Sequence, residues 1–271
     1  MSDTNGNDET KPVVVLEATE DGVATVLLDN PGVHNAISDV FIEEFTDILD
    51  DLAVADGVFA VLLKSTGKSF CAGADLNWMK RAAEYSREEN LEDAEALGAL
   101  LKKLCFLPKP TVALIQGPAY GGGLGIVSCC DIAIAVRSAS FTLSEVKLGL
   151  LPATISPYVV RAMGVRAARR YFLTAERFDA AEALRNGLIS EIVEDEAALE
   201  RAGQRYVELL RANAPGAVAD SKQLIFDVID REIDDDLIAV TAARIADRRA
   251  TEEGREGIAA FLDRRKPSWK S

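Results

Sequence analysis

The chain holds one histidine, His34, among its 271 residues. A Ser-His-Asp or Cys-His catalytic set would have to use it, and a histidine-built metal site is excluded. His34 follows Pro31-Gly32 and reads as a loop residue with a structural hydrogen bond. Cysteine is scarce too: Cys71, Cys105, Cys129 and Cys130, none in a Cys-x-x-Cys pair. Neither a zinc knuckle nor a redox dithiol is predicted, and all four are expected as buried free thiols in a reducing compartment. No apolar run approaches the ~20 residues needed to cross a bilayer. Basic residues number 30 against 44 acidic ones, a net charge of −14. Nucleic acid is excluded as a main partner, because phosphate binding needs a basic face. Nucleotide fingerprints are missing as well. Gly121-Gly122-Gly123-Leu124-Gly125 fits neither G-x-G-x-x-G nor G-x-x-x-x-G-K-[ST].

What remains is ordinary globular composition, 48% hydrophobic and 27% charged. Met1 to Thr10 is small, polar and acidic, which predicts a disordered tail over 1–11 on a cytoplasmic protein. Val13–Ala18 and Val23–Leu28, joined at Asp21-Gly22, read as a hairpin. Ser38 is placed to cap a helix whose apolar face holds Phe41, Phe45, Ile48, Leu49 and Leu52. Val58–Leu63, Thr111–Gln116, Ile132–Val136 and Leu188–Val193 read as buried strands. Ser86 and Glu89 form a capping box for a helix ending before Pro108 and Pro110. Ser156-Pro157 reads as N-cap and first turn of a helix running to Met163. After Asp195 only helical segments follow: 195–212, 217–231, 234–250 and 251–264. Repeated strand-loop-helix units predict an α/β core over 12–195, followed by a helical C-terminal region over 196–271.

Three features carry chemistry. The triple glycine 121–123 opens an apolar helix, and two readings of it stand: a tight, closely packed turn, or uncovered first-turn amides that hold an oxyanion. A second small-residue loop, Phe70-Cys71-Ala72-Gly73-Ala74-Asp75-Leu76, also follows a buried strand. Two such loops at one sheet edge could each offer an N–H to one carbonyl oxygen. Glu145 is flanked by apolar residues, which predicts a partly desolvated carboxylate suited to proton exchange with carbon. Taken alone, it also fits a surface glutamate at a strand end.

The two loops, their spacing and Glu145 resemble the crotonase (enoyl-CoA hydratase/isomerase) superfamily from about Val13 to Trp269. That resemblance implies a spiral of ββα units with a C-terminal helical region that builds homotrimers, often paired into hexamers. It implies an acyl-CoA substrate and no separate cofactor, coenzyme A being part of the substrate. Ala74 and Gly122 align with the oxyanion-hole amides. The backbone of Ala72, Ala74, Asp75 and Leu76, with the Val33 region, aligns with the coenzyme A contact surface. Phe261 and Arg264 resemble the pair that a neighbouring subunit offers to the nucleotide. Glu145 aligns with the glutamate that exchanges a proton at the substrate α-carbon. The other family glutamate is missing, and Gly125 stands in its place.

Three functions follow for test. Residues 74–79 and 144–159 resemble the bacterial methylglutaconyl-CoA hydratase branch of leucine breakdown, which tolerates glycine at Gly125. A Δ3,Δ2-enoyl-CoA isomerase, with Glu145 as single proton shuttle, needs no water-activating partner. A non-catalytic binding protein is disfavoured by intact loops and by the net charge. Asn77, Trp78, Lys80 and Tyr120 are further pocket candidates.

Overall fold

The computed structural model describes residues 11–18 and 21–270. Residues 1–10 of the expected tail lie outside the described residues, while Lys11 pairs with Asp29 at 2.6 Å. The strands are β1 (Val14–Ala18), β2 (Val23–Leu28), β3 (Ala60–Ser65), β4 (Thr111–Ile115), β5 (Ala119–Tyr120), β6 (Ile132–Val136), β7 (Ser140–Thr142), β8 (Phe178–Asp179) and β9 (Glu191–Val193). One sheet runs β1-β2-β3-β4-β6-β9, antiparallel across the β1–β2 hairpin and parallel from β2 onward. The second, β5-β7-β8, is built from strands of two or three residues, too short to show periodicity in the sequence.

The helices are α1 (Asp39–Val54), α2 (Leu76–Ala82), α3 (Arg87–Cys105), α4 (Gly122–Cys129), α5 (Ser156–Thr174), α6 (Ala180–Arg185), α7 (Glu196–Arg211), α8 (Pro215–Val228), α9 (Asp235–Ala250) and α10 (Glu252–Leu262). Alternating strands and helices around one core form the predicted α/β architecture. Helix α1 starts where Ser38 Oγ accepts from the Phe41 amide, and it buries Phe41, Phe45, Leu49 and Leu52 along one stripe. Each such side chain contributes ~1.5–3 kcal/mol of burial. The expected capping box opens α3: Ser86 Oγ accepts from the Glu89 amide at 3.2 Å, and Glu89 Oε2 accepts from the Ser86 amide at 2.7 Å.

Local expectations shift in three places. The strand expected at 58–63 begins at Ala60; residues 58–59 lead into it from the turn at 56–57, with the Phe59 amide donating to Gly22 O at 2.8 Å. The last strand shortens to Glu191–Val193, since the Leu188 amide closes α6 by donating to Ala183 O. Ser156 is not an N-cap. Ile155 takes that position, and Ser156 Oγ donates instead to Ala153 O at 2.7 Å. The helix from Ser156 breaks at Gly164 (φ 75°, ψ 156°), one residue past the expected end, and a second helical stretch continues to Thr174.

Helix α7 lies on β4, β6 and β9. It approaches closely at Gly203, where a Cβ would stand 2.9 Å from Leu114 Cδ1. Buried Lys222 ties α8 to the core. Its Nζ meets Asp131 Oδ2 at 2.7 Å, and that oxygen also accepts from the Thr111 amide and hydroxyl at 2.7 and 2.9 Å. Among the described residues, no helix is long and apolar enough to cross a membrane.

Candidate functional site

Backbone pairing holds the first loop in place. Phe70 and Cys71, both fully buried, anchor it from within. The Phe70 amide donates to Pro118 O at 2.9 Å, and the Tyr120 amide donates to Cys71 O at 2.9 Å. On its other side the loop forms a parallel bridge between Ile37 and Ala74. The Ile37 amide donates to Gly73 O at 2.7 Å, and the Asp75 amide donates to Ile37 O at 2.8 Å. Successive peptide groups of an extended chain point to opposite sides. A bridge made through residues 73 and 75 therefore turns the Ala74 N–H away from Ile37. That amide has no acceptor among the described residues, and Ala74 is exposed.

The second loop follows β5. Gly121 has φ 48° and ψ −118°, a conformation closed to other residues, and its amide donates to Thr142 O at 2.9 Å. Helix α4 starts directly after it, so the Gly122 amide is a first-turn donor without an i−4 partner. The two loops meet here. A Cβ on Gly73 (φ 89°) would lie 2.9 Å from Tyr120 O and 3.7 Å from Gly121 Cα. Side chains would force the loops apart, so the tight, closely packed turn is one role of the triple glycine, and the Gly122 amide stays available as a first-turn donor.

Glu145 completes the constellation. It begins a one-turn 3-10 helix after β7, closed by Gly149 in the left-handed region and by the Leu150 amide donating to Glu145 O at 3.1 Å. A Cβ on Gly121 would stand 3.2 Å from Glu145 Oε1 and 3.9 Å from Gly73 Cα. The carboxylate is thus packed against the junction of the two loops and is not a surface strand-end group. Its Oε2 is buried with no hydrogen-bond partner. Burial raises its pKa, opposed only by its own backbone amide, and no cation offsets the effect.

Gly125 lies one turn further along α4, fully buried. A Cβ there would overlap Ile155 Cγ2, and would lie 3.0 Å from Ile155 Cβ and 3.6 Å from Leu101 Cδ2. The space a side chain at 125 would need is filled by an isoleucine. Sequence reading identified Gly125 as a missing carboxylate but not Ile155 as its occupant. Thirty residues separate the two, and no periodic signal links them.

The coenzyme A candidates divide. The Asp75 carboxylate caps α2, accepting from the Asn77 and Trp78 amides at 2.8 and 3.0 Å. The Ala72 amide donates to His34 O at 3.0 Å. Leu76 and Val33 are exposed beside these loops. The Val33 segment rests on Asn35, another residue missed in the sequence, which is buried with φ 55°. Asn35 Nδ2 donates to Thr66 O and Ser69 O at 2.8 and 2.9 Å, and its Oδ1 accepts from the Asn30 amide at 2.8 Å. His34 is structural as expected, with Nδ1 3.1 Å from Ser69 Oγ.

Phe261, 82% exposed, lies on α10, which packs on α9. Arg264 follows it at φ 55°. The neighbouring Arg265 is committed to Glu256 at 2.6 Å. Of the remaining candidates, Trp78 is buried and its Nε1 donates to Asp93 Oδ1 at 2.7 Å. Tyr120 Oη lies 3.1 Å from Ser140 Oγ and its ring sits beneath the Arg177 guanidinium, while Asn77 and Lys80 are exposed on α2.

Free N–H donors on two adjoining loops, beside one desolvated carboxylate, are the groups that can stabilise an oxyanion while a proton moves at the adjacent carbon. Comparison with known proteins agrees with that chemistry. A family model described as enoyl-CoA hydratase/isomerase matches residues 18–271. The chain is 35% identical over 242 residues to enoyl-CoA hydratase ACTT6 of Alternaria alternata, covering 89% of this chain and 78% of that one. Its fold superposes with a TM-score of 0.91 on an enoyl-CoA hydratase from Shewanella pealeana, 47% identical over 95% of this chain and 96% of that one. AtuE of Pseudomonas aeruginosa also gives a TM-score of 0.91, at 37% identity, covering 96% of this chain and all of that one.

Proposed function

Because this chain belongs to the enoyl-CoA hydratase/isomerase family, we propose that it adds water to an α,β-unsaturated acyl-CoA, with 3-methylglutaconyl-CoA of leucine breakdown as substrate. The Ala74 and Gly122 amides hold the thioester oxygen. The Glu145 carboxylate takes a proton from water as the water oxygen bonds to carbon 3, and the double-bond electrons move into the thioester as an enolate. Glu145 then returns the proton to carbon 2, so one H and one OH are added and the carboxylate is regenerated. Each oxyanion donor is worth ~3 kcal/mol in such a step.

The observation that carries this reading is the packing of Glu145, with one unpartnered oxygen, against the junction of two loops that present free amides. Hydration is supported by the names of the compared relatives, and the acyl chain by the resemblance of residues 74–79 and 144–159 to methylglutaconyl-CoA hydratases. A homotrimer or a pair of trimers is part of the proposal. The exposure of Phe261, Ile258 and Leu262 on α10 supports it, Phe261 and Arg264 then serving a neighbour's nucleotide.

One observation favours a second reading, the Δ3,Δ2-enoyl-CoA isomerase. The packing of Gly125 under Ile155 leaves no room for a second carboxylate there, and Glu145 alone can carry a proton from carbon 2 to carbon 4. Incubation with 3-methylglutaconyl-CoA in heavy-oxygen water, beside a 3-enoyl-CoA, separates the two. Hydration predicts a labelled 3-hydroxy product. No labelled product, together with conversion of the 3-enoyl ester, would replace hydration with isomerisation.

A further inference from the structure

Three of the four cysteines, separated by up to 25 positions in sequence, line one cavity of about 250 Å³ away from the site above. Cys105 ends α3 and Cys129 ends α4, two helices packed together. Cys130 follows, and Asp131, Tyr158 and Arg161 complete the relevant wall. We propose that Cys105 is a covalent modification site for low-molecular-weight disulfides, with Cys129 as the resolving thiol.

The surroundings distinguish the thiols. The neighbouring Cys129 thiol does most to lower the Cys105 pKa, and Lys222 and Arg161 add positive potential against the burial cost and the Asp131 charge. Cys129 is held well above the ordinary thiol range by burial first, then by that same neighbour. The Cys130 thiol is engaged with the α4 backbone, donating to Ile126 O at 3.4 Å, and burial pushes it up to about 12. Cys71 is fully buried, does not line the cavity, and is also pushed up to about 12.

The chemistry balances in two exchanges. The Cys105 thiolate attacks one sulfur of the small disulfide, the S–S bond breaks, and one small thiol leaves with a proton. Capture of Cys105 as a mixed disulfide removes the neighbouring charge that adds to burial in holding the Cys129 proton, and that proton passes to the second small thiol as it leaves. The Cys129 thiolate then attacks the Cys105 sulfur, a Cys105–Cys129 bond forms, and the second small thiol leaves. Two protein thiols are oxidised and one disulfide is reduced to two thiols.

The test is treatment of the folded full-length protein with hydroxyethyl disulfide, followed by intact mass and peptide mapping. The expected result is loss of two hydrogens and a Cys105–Cys129 crosslink, with Cys105 reacting ~100-fold or more faster than Cys71. Cys129→Ser should stop at a single hydroxyethyl adduct on Cys105, and Cys105→Ser and Cys105→Ala should form neither adduct nor crosslink. An unmodified wild-type protein, a first adduct on Cys71 or Cys130, or equal reaction of the Cys105 variants would overturn the proposal. Mapping on wild-type protein decides the matter even where a variant folds poorly.

Discussion

If Ile155 fills the space of a side chain at position 125, the two residues must be energetically coupled. Gly125→Ala tests this with one atom. The added Cβ would overlap Ile155 Cγ2 and press within 3.0 Å of Ile155 Cβ. The Cβ is fixed to a backbone that is itself the N-cap of α5, so it has little freedom to retreat. Overpacking of this kind costs ~1–3 kcal/mol. Replacing a mid-helix glycine by alanine returns ~1 kcal/mol. A net loss of ~0–2 kcal/mol is therefore expected in the native background. In an Ile155→Ala background the overlapping methyl is gone, and the same substitution should stabilise by ~1 kcal/mol. The coupling energy should thus be ~1–3 kcal/mol, measured by urea unfolding of the four members of the cycle. Additive effects would refute the reasoning, because they would show that the two residues do not compete for space. The cycle also bears on chemistry, since a carboxylate introduced at 125 could be housed only once Ile155 is shortened.

Glu145→Gln should lower turnover by ~10²-fold or more with little change in acyl-CoA binding, measured by steady-state kinetics beside binding titration. The same variant reports on pH. The folded-state pKa of Glu145 is raised by burial, so its contribution to stability is fully present below the ordinary carboxylate value and is lost as pH rises through the raised one. Wild type should therefore lose stability relative to Glu145→Gln across that interval in unfolding curves taken at several pH values. Gly122→Pro should remove one oxyanion donor and lower turnover by ~10²–10³-fold. Position 122 is the first helical residue, where proline is tolerated, and an added Cβ there would meet the flexible Cδ1 end of Ile37. A thermal melt beside the kinetic assay checks that the fold survives.

The sequence alone was enough for the elements whose signals are local. The caps at Ser38 and the Ser86/Glu89 pair, the apolar stripe of α1 and the glycine-opened helix α4 depend on contacts within a few residues, and the chain states them directly. It also marked the candidate site, because small residues before a helix and a glutamate among apolar neighbours can be recognised before folding. Tertiary structure decided what lies between distant segments. The bridge from Ile37 to residues 73 and 75 determines which amide of the first loop stays free, and no property of Ala74 itself predicts it. Ser156 looked like a cap and lost that position to Ile155, whose side chain also fills the place of a residue at 125. The cysteines lacked any paired spacing, yet two helix ends bring Cys105 and Cys129 to one cavity. The physical reason is the same in each case. Periodicity and capping are short-range and are written residue by residue, whereas excluded volume and shared hydrogen-bond partners exist only after segments tens of residues apart have packed together.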